Sequence, residues 1–321
     1  MAQPDSAGLP LLPITDRHGP AQDVGRRLVR QRWTAPGVWV KYALLTIGAL
    51  VMVAPFADMF IGSLRTIQER LANPPIYWPH HPQWRNFALV FRQLPMLRWI
   101  SNSIIVTTAI TITQLVTSSM AGYALAKFKF KGRDLILRCV LGAQMFPFFL
   151  FLIPMFFILR FWPLAGGNNL AGQGGTGLLN SYAALILPFT VSWYGIFMMR
   201  QFMVSIPDEL LDAARVDGAG EFQIFFTIAV PLAKTALATL GIFAFVYQWN
   251  EVLWTMTVTR TAPQLQTVPV GIYLIRGAFV DERMFSLQQA SLAVSVFPMI
   301  LLFLALQRFY VRGVTAGGVK G

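Results

Sequence analysis

The sequence predicts an all-α membrane protein with six transmembrane helices and both termini on the cytoplasmic side. Three observations lead there. Of 321 residues, 55% are hydrophobic and only 12% are charged, about half the charged share of a typical soluble domain. Six apolar segments are long enough to cross roughly 30 Å of hydrocarbon. Lys and Arg are denser in alternate connecting segments, as positive-inside topology requires.

Residues 1–40 carry Arg17, Arg26, Arg27, Arg30 and Arg32 among five prolines and no apolar core. They read as a disordered cytoplasmic tail, and the lack of an apolar run before a small-residue cleavage site argues against a signal peptide. Residues 41–321 form the membrane domain, with spans expected near 42–63, 99–126, 135–159, 179–199, 232–256 and 288–310. Pro147 and Pro154 in the third span and Pro188 in the fourth predict kinks. One set of alternate segments holds 17 Lys and Arg and the other 9, so both termini face the cytoplasm. The densest cluster, "KFKFKGRD" at 127–134, lies at the end of the second span.

The net charge of +12 has no basic, aromatic-interleaved face behind it, so nucleic acid is not the partner. The lone Cys139 excludes an intramolecular disulfide and a cysteine-based metal site, and His18, His80 and His81 have no third ligand nearby.

The loop 200–231 between spans four and five differs from the rest. In "SIPDELLDAARVDGAGEFQIFFTIAVPL", residues 205–232, five carboxylates fall within 14 residues. It is the one cytoplasmic loop in which acids outnumber bases. Ser205 and Asp208 suggest a capping box, with Pro207 in the first turn. Leu210, Leu211 and Ala214 share one helical face, and Asp208, Asp212 and Arg215 another. Gly218 supplies the stop. So short a helix is marginal in water unless its apolar face is covered. Either the protein's own helix ends or a separate cytoplasmic subunit must cover it.

This loop resembles the EAA loop of membrane subunits of ATP-binding-cassette importers. Asp212-Ala213-Ala214, Gly218 and Ile228-Ala229-Val230-Pro231 stand at the spacing of that motif, with Asp for Glu and Val for Leu. "WRNFALVF", "NSIIV", "AGYALAKFKFKGRDLI", "WNEVLW" and the terminal "GVTAGGVKG" are similar to the carbohydrate branch, typified by the smaller permease of the maltose transporter. The resemblance spans residues 42–321 and implies the type I importer permease fold in a bacterial inner membrane. It implies a non-enzymatic, multi-pass permease subunit that imports a sugar or oligosaccharide. Its implied partners are a second permease, two ATPase subunits that bind ATP and Mg, and an external solute-binding protein. In that scheme Glu209, Asp212, Ala213, Ala214, Arg215, Gly218 and Pro231 belong to the ATPase-coupling element. Gly317, Gly318 and Lys320 are implied to reach the ATPase dimer. The chain itself has no GxxxxGK(S/T) phosphate loop and is expected to bind no cofactor.

Polar groups inside spans mark candidate solute paths. Asn250 and Glu251 fall in the outer half of the fifth span and are expected to line the path, unless Glu251 caps a span that ends early. Tyr247 and Trp249 are placed to stack on sugar rings or to pack, and Asp58 and Gln144 are weaker candidates. The external segments carry nine arginines against Glu69, Asp281 and Glu282. That excess fits an acidic saccharide, sugar phosphate or amino acid as the alternative cargo, or scattered solvated charge. A secondary transporter would lack the loop pattern and would show coupling carboxylates at mid-membrane. A membrane enzyme would show a nucleophile–base or metal constellation.

Overall fold

The computed structural model describes residues 36–74, 76–278 and 283–318, and every regular element among them is helical. Two compact units are formed, one ending at Ala57 and one beginning at Asp58. All packing described below belongs to the second.

The helices are α1 (Pro36–Leu64), α2 (Ile67–Leu71), α3 (Arg85–Gln93), α4 (Met96–Lys127), α5 (Arg133–Ala143), α6 (Phe148–Arg160) and α7 (Tyr182–Phe189). There follow α8 (Trp193–Val204), α9 (Asp208–Val216), α10 (Glu221–Leu232), α11 (Lys234–Trp249), α12 (Leu253–Val258), α13 (Val268–Ala278) and α14 (Arg283–Gly318). Three helices hold unbroken apolar stretches long enough to span, Gly37–Leu64, Met96–Lys127 and Phe285–Ala305. Three pairs reach that length only when joined across a bend: α5–α6 at 99°, α7–α8 at 43° and α10–α11 at 78°. Counting each pair once gives up to six spans. The helix from Pro36 takes residues 36–40 out of the expected tail, while 1–35 lie outside the described residues.

Each bend has a local cause. Pro147 is extended (φ −61°, ψ 135°), and a proline disfavours the helical conformation at the residue before it, so the chain does not resume α5 and restarts after Pro147 as a 3-10 turn. Pro154 does not kink the third span as expected. It sits in the first α-helical turn, Leu152 onward, where its missing N–H costs no intrahelical bond. Pro188 lies in the 3-10 turn that closes α7, and Ser192 Oγ then caps α8 by accepting from Gly195 N at 3.0 Å. In α10 a π-helical segment, Phe225–Ala229, precedes Pro231 and the turn at Ala233. The expected fifth span 232–256 is likewise interrupted, because α11 stops at Trp249 and the chain resumes as α12.

The long α4 is the centre of the bundle. A Cβ at Gly122 would come within 2.8 Å of Arg200 N and Met199 Cβ, so only glycine lets α4 and α8 approach so closely. At one end, Tyr123, Met199, Met203, Leu211, Ile224 and Leu240 are buried in one cluster. At the other end, Asn102 Nδ2 donates to the carbonyls of Gln264 and Gln266, each at 2.8 Å, and Asn102 Oδ1 accepts from Tyr182 Oη at 2.6 Å. A buried amide of this kind is stable only when its donors and acceptor are satisfied together.

Candidate functional site

The acidic loop folds as α9, a left-handed stop and α10. The expected capping box does not form. Ser205 Oγ instead donates to Phe202 O at 2.7 Å, closing α8, and Pro207 precedes α9 without a side-chain cap. Asp208 and Glu209 in the first turn and Arg215 in the last complement the helix dipole. Gly218 takes φ +83°, and its N–H bonds Arg215 O at 3.0 Å, as a glycine stop requires.

The apolar residues of α9 are divided between two faces. Leu211 is fully buried among Ile206, Ile224 and Phe225, with Ala214 half-buried against them. Leu210, Ala213 and Val216 recur every three residues on the opposite, exposed face, and Phe222 is exposed just beyond it. The protein's own core therefore covers only one side of the helix. Glu209, Asp212, Gly218 and Pro231 are exposed, and Arg215 is half-buried.

Ion pairs hold this element in place. Arg215 Nη1 meets Asp212 Oδ1 at 2.6 Å and Arg215 Nε meets Glu221 Oε1 at 2.7 Å. The two carboxylates push the guanidinium pKa up. Tyr123 Oη donates to Glu221 Oε2 at 3.3 Å. Lys127 Nζ donates to Ile206 O at 2.5 Å and Asp208 Oδ1 at 2.6 Å, and this partner holds the Asp208 carboxyl below its ordinary value. Sequence reasoning counted Lys127 only as a topology charge and passed over Tyr123. Their i,i+4 spacing on one helical face was the available signal. Gly317 and Gly318 form the last residues of α14, and Lys320 lies outside the described residues.

A cavity of about 660 Å³ opens where the third and fourth spans break. Gln114 of α4, Gln144 at the first break, Ser192 and Tyr194 at the second, and Tyr247 of α11 supply its polar lining, and Phe148, Phe151 and Phe243 are among its rings. No side chain lining it is charged. Gln114 Nε2 donates to Phe189 O at 2.7 Å, which holds the broken fourth span against α4.

Of the four residues expected on the solute path, only Tyr247 lines this cavity. Trp249 is buried and stacked on Phe245 at 5.6 Å. Asn250 Nδ2 donates back to Val246 O at 2.7 Å. Glu251 stands in the break before α12, and its carboxylate caps that helix, as in the alternative of a span that ends early. Its Oε1 accepts from Trp254 N at 2.6 Å, and Oε2 accepts from Thr255 N at 3.0 Å and Thr255 Oγ1 at 2.8 Å. Of the two weaker candidates, Gln144 lines the cavity, whereas Asp58 pairs with Arg65 at 2.9 Å. Arg85, Arg92, Arg98 and Arg260 are exposed. No group of three or more His, Cys, Asp or Glu that could hold a metal occurs among the described residues.

Residues 114–316 match the family described as "Binding-protein-dependent transport system inner membrane component". The chain is 33% identical to the arabinooligosaccharides transport system permease protein AraQ of Halalkalibacterium halodurans, covering 87% of this chain and 96% of that one. It is 35% identical to the sulfoquinovosyl glycerol transport system permease protein SmoH of Agrobacterium fabrum, covering 83% and 88%. It superposes with a TM-score of 0.70 on a crystal structure of a bacterial transporter involved in import of the acidic polysaccharide alginate. That match has 23% sequence identity and covers 93% of this chain and 100% of the other, and it establishes the fold.

Proposed function

The chain belongs to the family of inner-membrane components of binding-protein-dependent transport systems, and from that premise we propose that it is a permease subunit importing a neutral sugar or oligosaccharide. The observation that carries the cargo class is the lining of the cavity, aromatic rings with amide and hydroxyl groups and no charged side chain. Sugar hydroxyls bond amides, and their apolar faces stack on rings. Tyr247, Tyr194, Gln114 and Gln144 are the residues we assign to the path, and Glu251 we assign to holding α12.

In this reading both termini are cytoplasmic, which the 17-to-9 distribution of Lys and Arg supports. The exposed Leu210–Ala213–Val216 face and Gly218 then meet an ATPase subunit that binds ATP and Mg. Asp212 and Glu209 border that contact, and the chain end at Gly317, Gly318 and Lys320 approaches the ATPase pair. A second permease completes the path, and an external binding protein delivers the cargo.

A second reading is favoured by the exposed Arg85, Arg92, Arg98 and Arg260 on the proposed outer side: an anionic solute. Relatives include SmoH and the sn-glycerol-3-phosphate permease protein UgpE of Yersinia pestis. Uptake of radiolabelled lactose, arabinooligosaccharides and sn-glycerol-3-phosphate into proteoliposomes holding the complete transporter separates the two. ATP-dependent uptake of a neutral sugar, reduced in Tyr247→Ala, is the expected result. Uptake of the phosphate ester alone would replace the first reading with the second.

A further inference from the structure

Lys127 is the last residue of α4, and its side chain is only 4% exposed. A buried ammonium is costly unless its hydrogens are taken up by acceptors, and here both identified acceptors belong to one place. Ile206 O and Asp208 Oδ1 flank Pro207, the entrance to α9. One turn back on the same face, Tyr123 bonds Glu221, the first residue of α10, which in turn holds Arg215 of α9. A single helical turn of α4 thus grips the exposed element at its entry and at its exit.

The same helix reaches the cavity. Gln114 precedes Lys127 by 13 residues, roughly 20 Å at the α-helical rise, and bonds Phe189 O in the broken fourth span. Between these points α4 is locked to α8. Gly122 fits against Met199 and Arg200, and a Cβ on Gly195 would collide with Ser118 Oγ. There is little room for sliding at contacts this close.

We propose that Lys127, aided by Tyr123, is a positioning residue that makes α9 and α4 move as one body. Displacement of the α9 surface by an ATPase partner is thereby delivered through α4 to the cavity. This rests on the docking role proposed above. The physical requirement for coupling between distant sites is an element whose arrangement both sites bias, and α4 with its clamp is that element.

The test uses the complete transporter in nanodiscs, with ATP in EDTA as the only added ligand so that hydrolysis is blocked. In a Cys139→Ser background, Tyr247→Cys reports cavity access through its rate of maleimide labelling. With Lys127 intact, ATP is expected to change that rate by about fivefold or more, the lower end of ordinary coupling between sites. Lys127→Met should reduce the response to less than about twofold while the ATPase subunits still co-purify, and Lys127→Arg should restore it. Should Lys127→Met fail to assemble, Asp208→Asn, altered at an exposed carboxylate, must still diminish the response. A full ATP response in both Lys127→Met and Asp208→Asn overturns the clamp, as does one in Asp208→Asn alone when Lys127→Met does not assemble. Absence of any ATP response with Lys127 intact overturns the docking reading beneath it.

Discussion

Replacing Glu251 by alanine removes a cap and leaves the cavity intact. The carboxylate accepts from two backbone N–H groups at the start of α12 and from the Thr255 hydroxyl. Those N–H groups have no intrahelical acceptor, so their loss is the loss of a helix cap, worth about 0.5–2 kcal/mol. The upper part of that range applies here. The site is half-buried, and the adjoining Trp254 is fully buried with Nε1 donating to Ala184 O at 2.9 Å, so water cannot readily take over. For a chain of this length 1–2 kcal/mol corresponds to a fall of roughly 1.5–3 °C in unfolding temperature. The assay is fluorescence-detected size exclusion after heating in detergent, paired with uptake against sugar concentration. Half-saturation should stay at the wild-type value in Glu251→Ala, while Tyr247→Ala raises it about threefold to tenfold through loss of a ring contact. An unchanged melting temperature together with a tenfold weaker half-saturation in Glu251→Ala would refute the cap and return this carboxylate to the solute path.

Gly218→Leu should impair attachment of the ATPase subunit without aggregating the permease. The site is open to solvent, so the penalty is the φ of +83°, about 1–2 kcal/mol for a side-chain-bearing residue, plus bulk on the docking face. Wild-type co-purification would count against the docking role. Topology predicts that in a Cys139→Ser background an impermeant maleimide labels Gln83→Cys but not Gln22→Cys on intact spheroplasts, and the reverse pattern would invert the orientation. Asp208 has a folded-state pKa depressed by Lys127. Its contribution is therefore complete above the ordinary aspartate value and is lost as pH falls through the lower folded value. A fluorophore on Val216→Cys should report α9 loosening in that acid range, and Asp208→Asn should remove the pH dependence. A titration identical in Asp208→Asn would mean another group controls it.

The all-helical class, the approximate places of the apolar stretches and the singular character of the 205–232 loop are properties of the sequence alone. Apolar length against bilayer thickness, and glycine's access to positive φ at Gly218, are local facts that hold whatever surrounds them. The motif at Asp212-Ala213-Ala214 and Gly218 belongs with these, since its spacing is covalent. Three-dimensional packing decided the rest. Periodicity put Leu210 and Leu211 together on one apolar face, yet only Leu211 is buried, because Ile206 and Ile224 reach it from segments on either side of α9. Hydropathy carried the fifth span through Glu251, since averaging over a window cannot register that α11 ends at Trp249 and that a carboxylate can satisfy the next helix start. The cavity arises where two spans break at positions more than 40 residues apart in sequence, and Lys127 meets Asp208 across 81 residues. Contacts at such separation depend on how the helices close around α4, and the tight fit at Gly122 and Gly195 sets that closure.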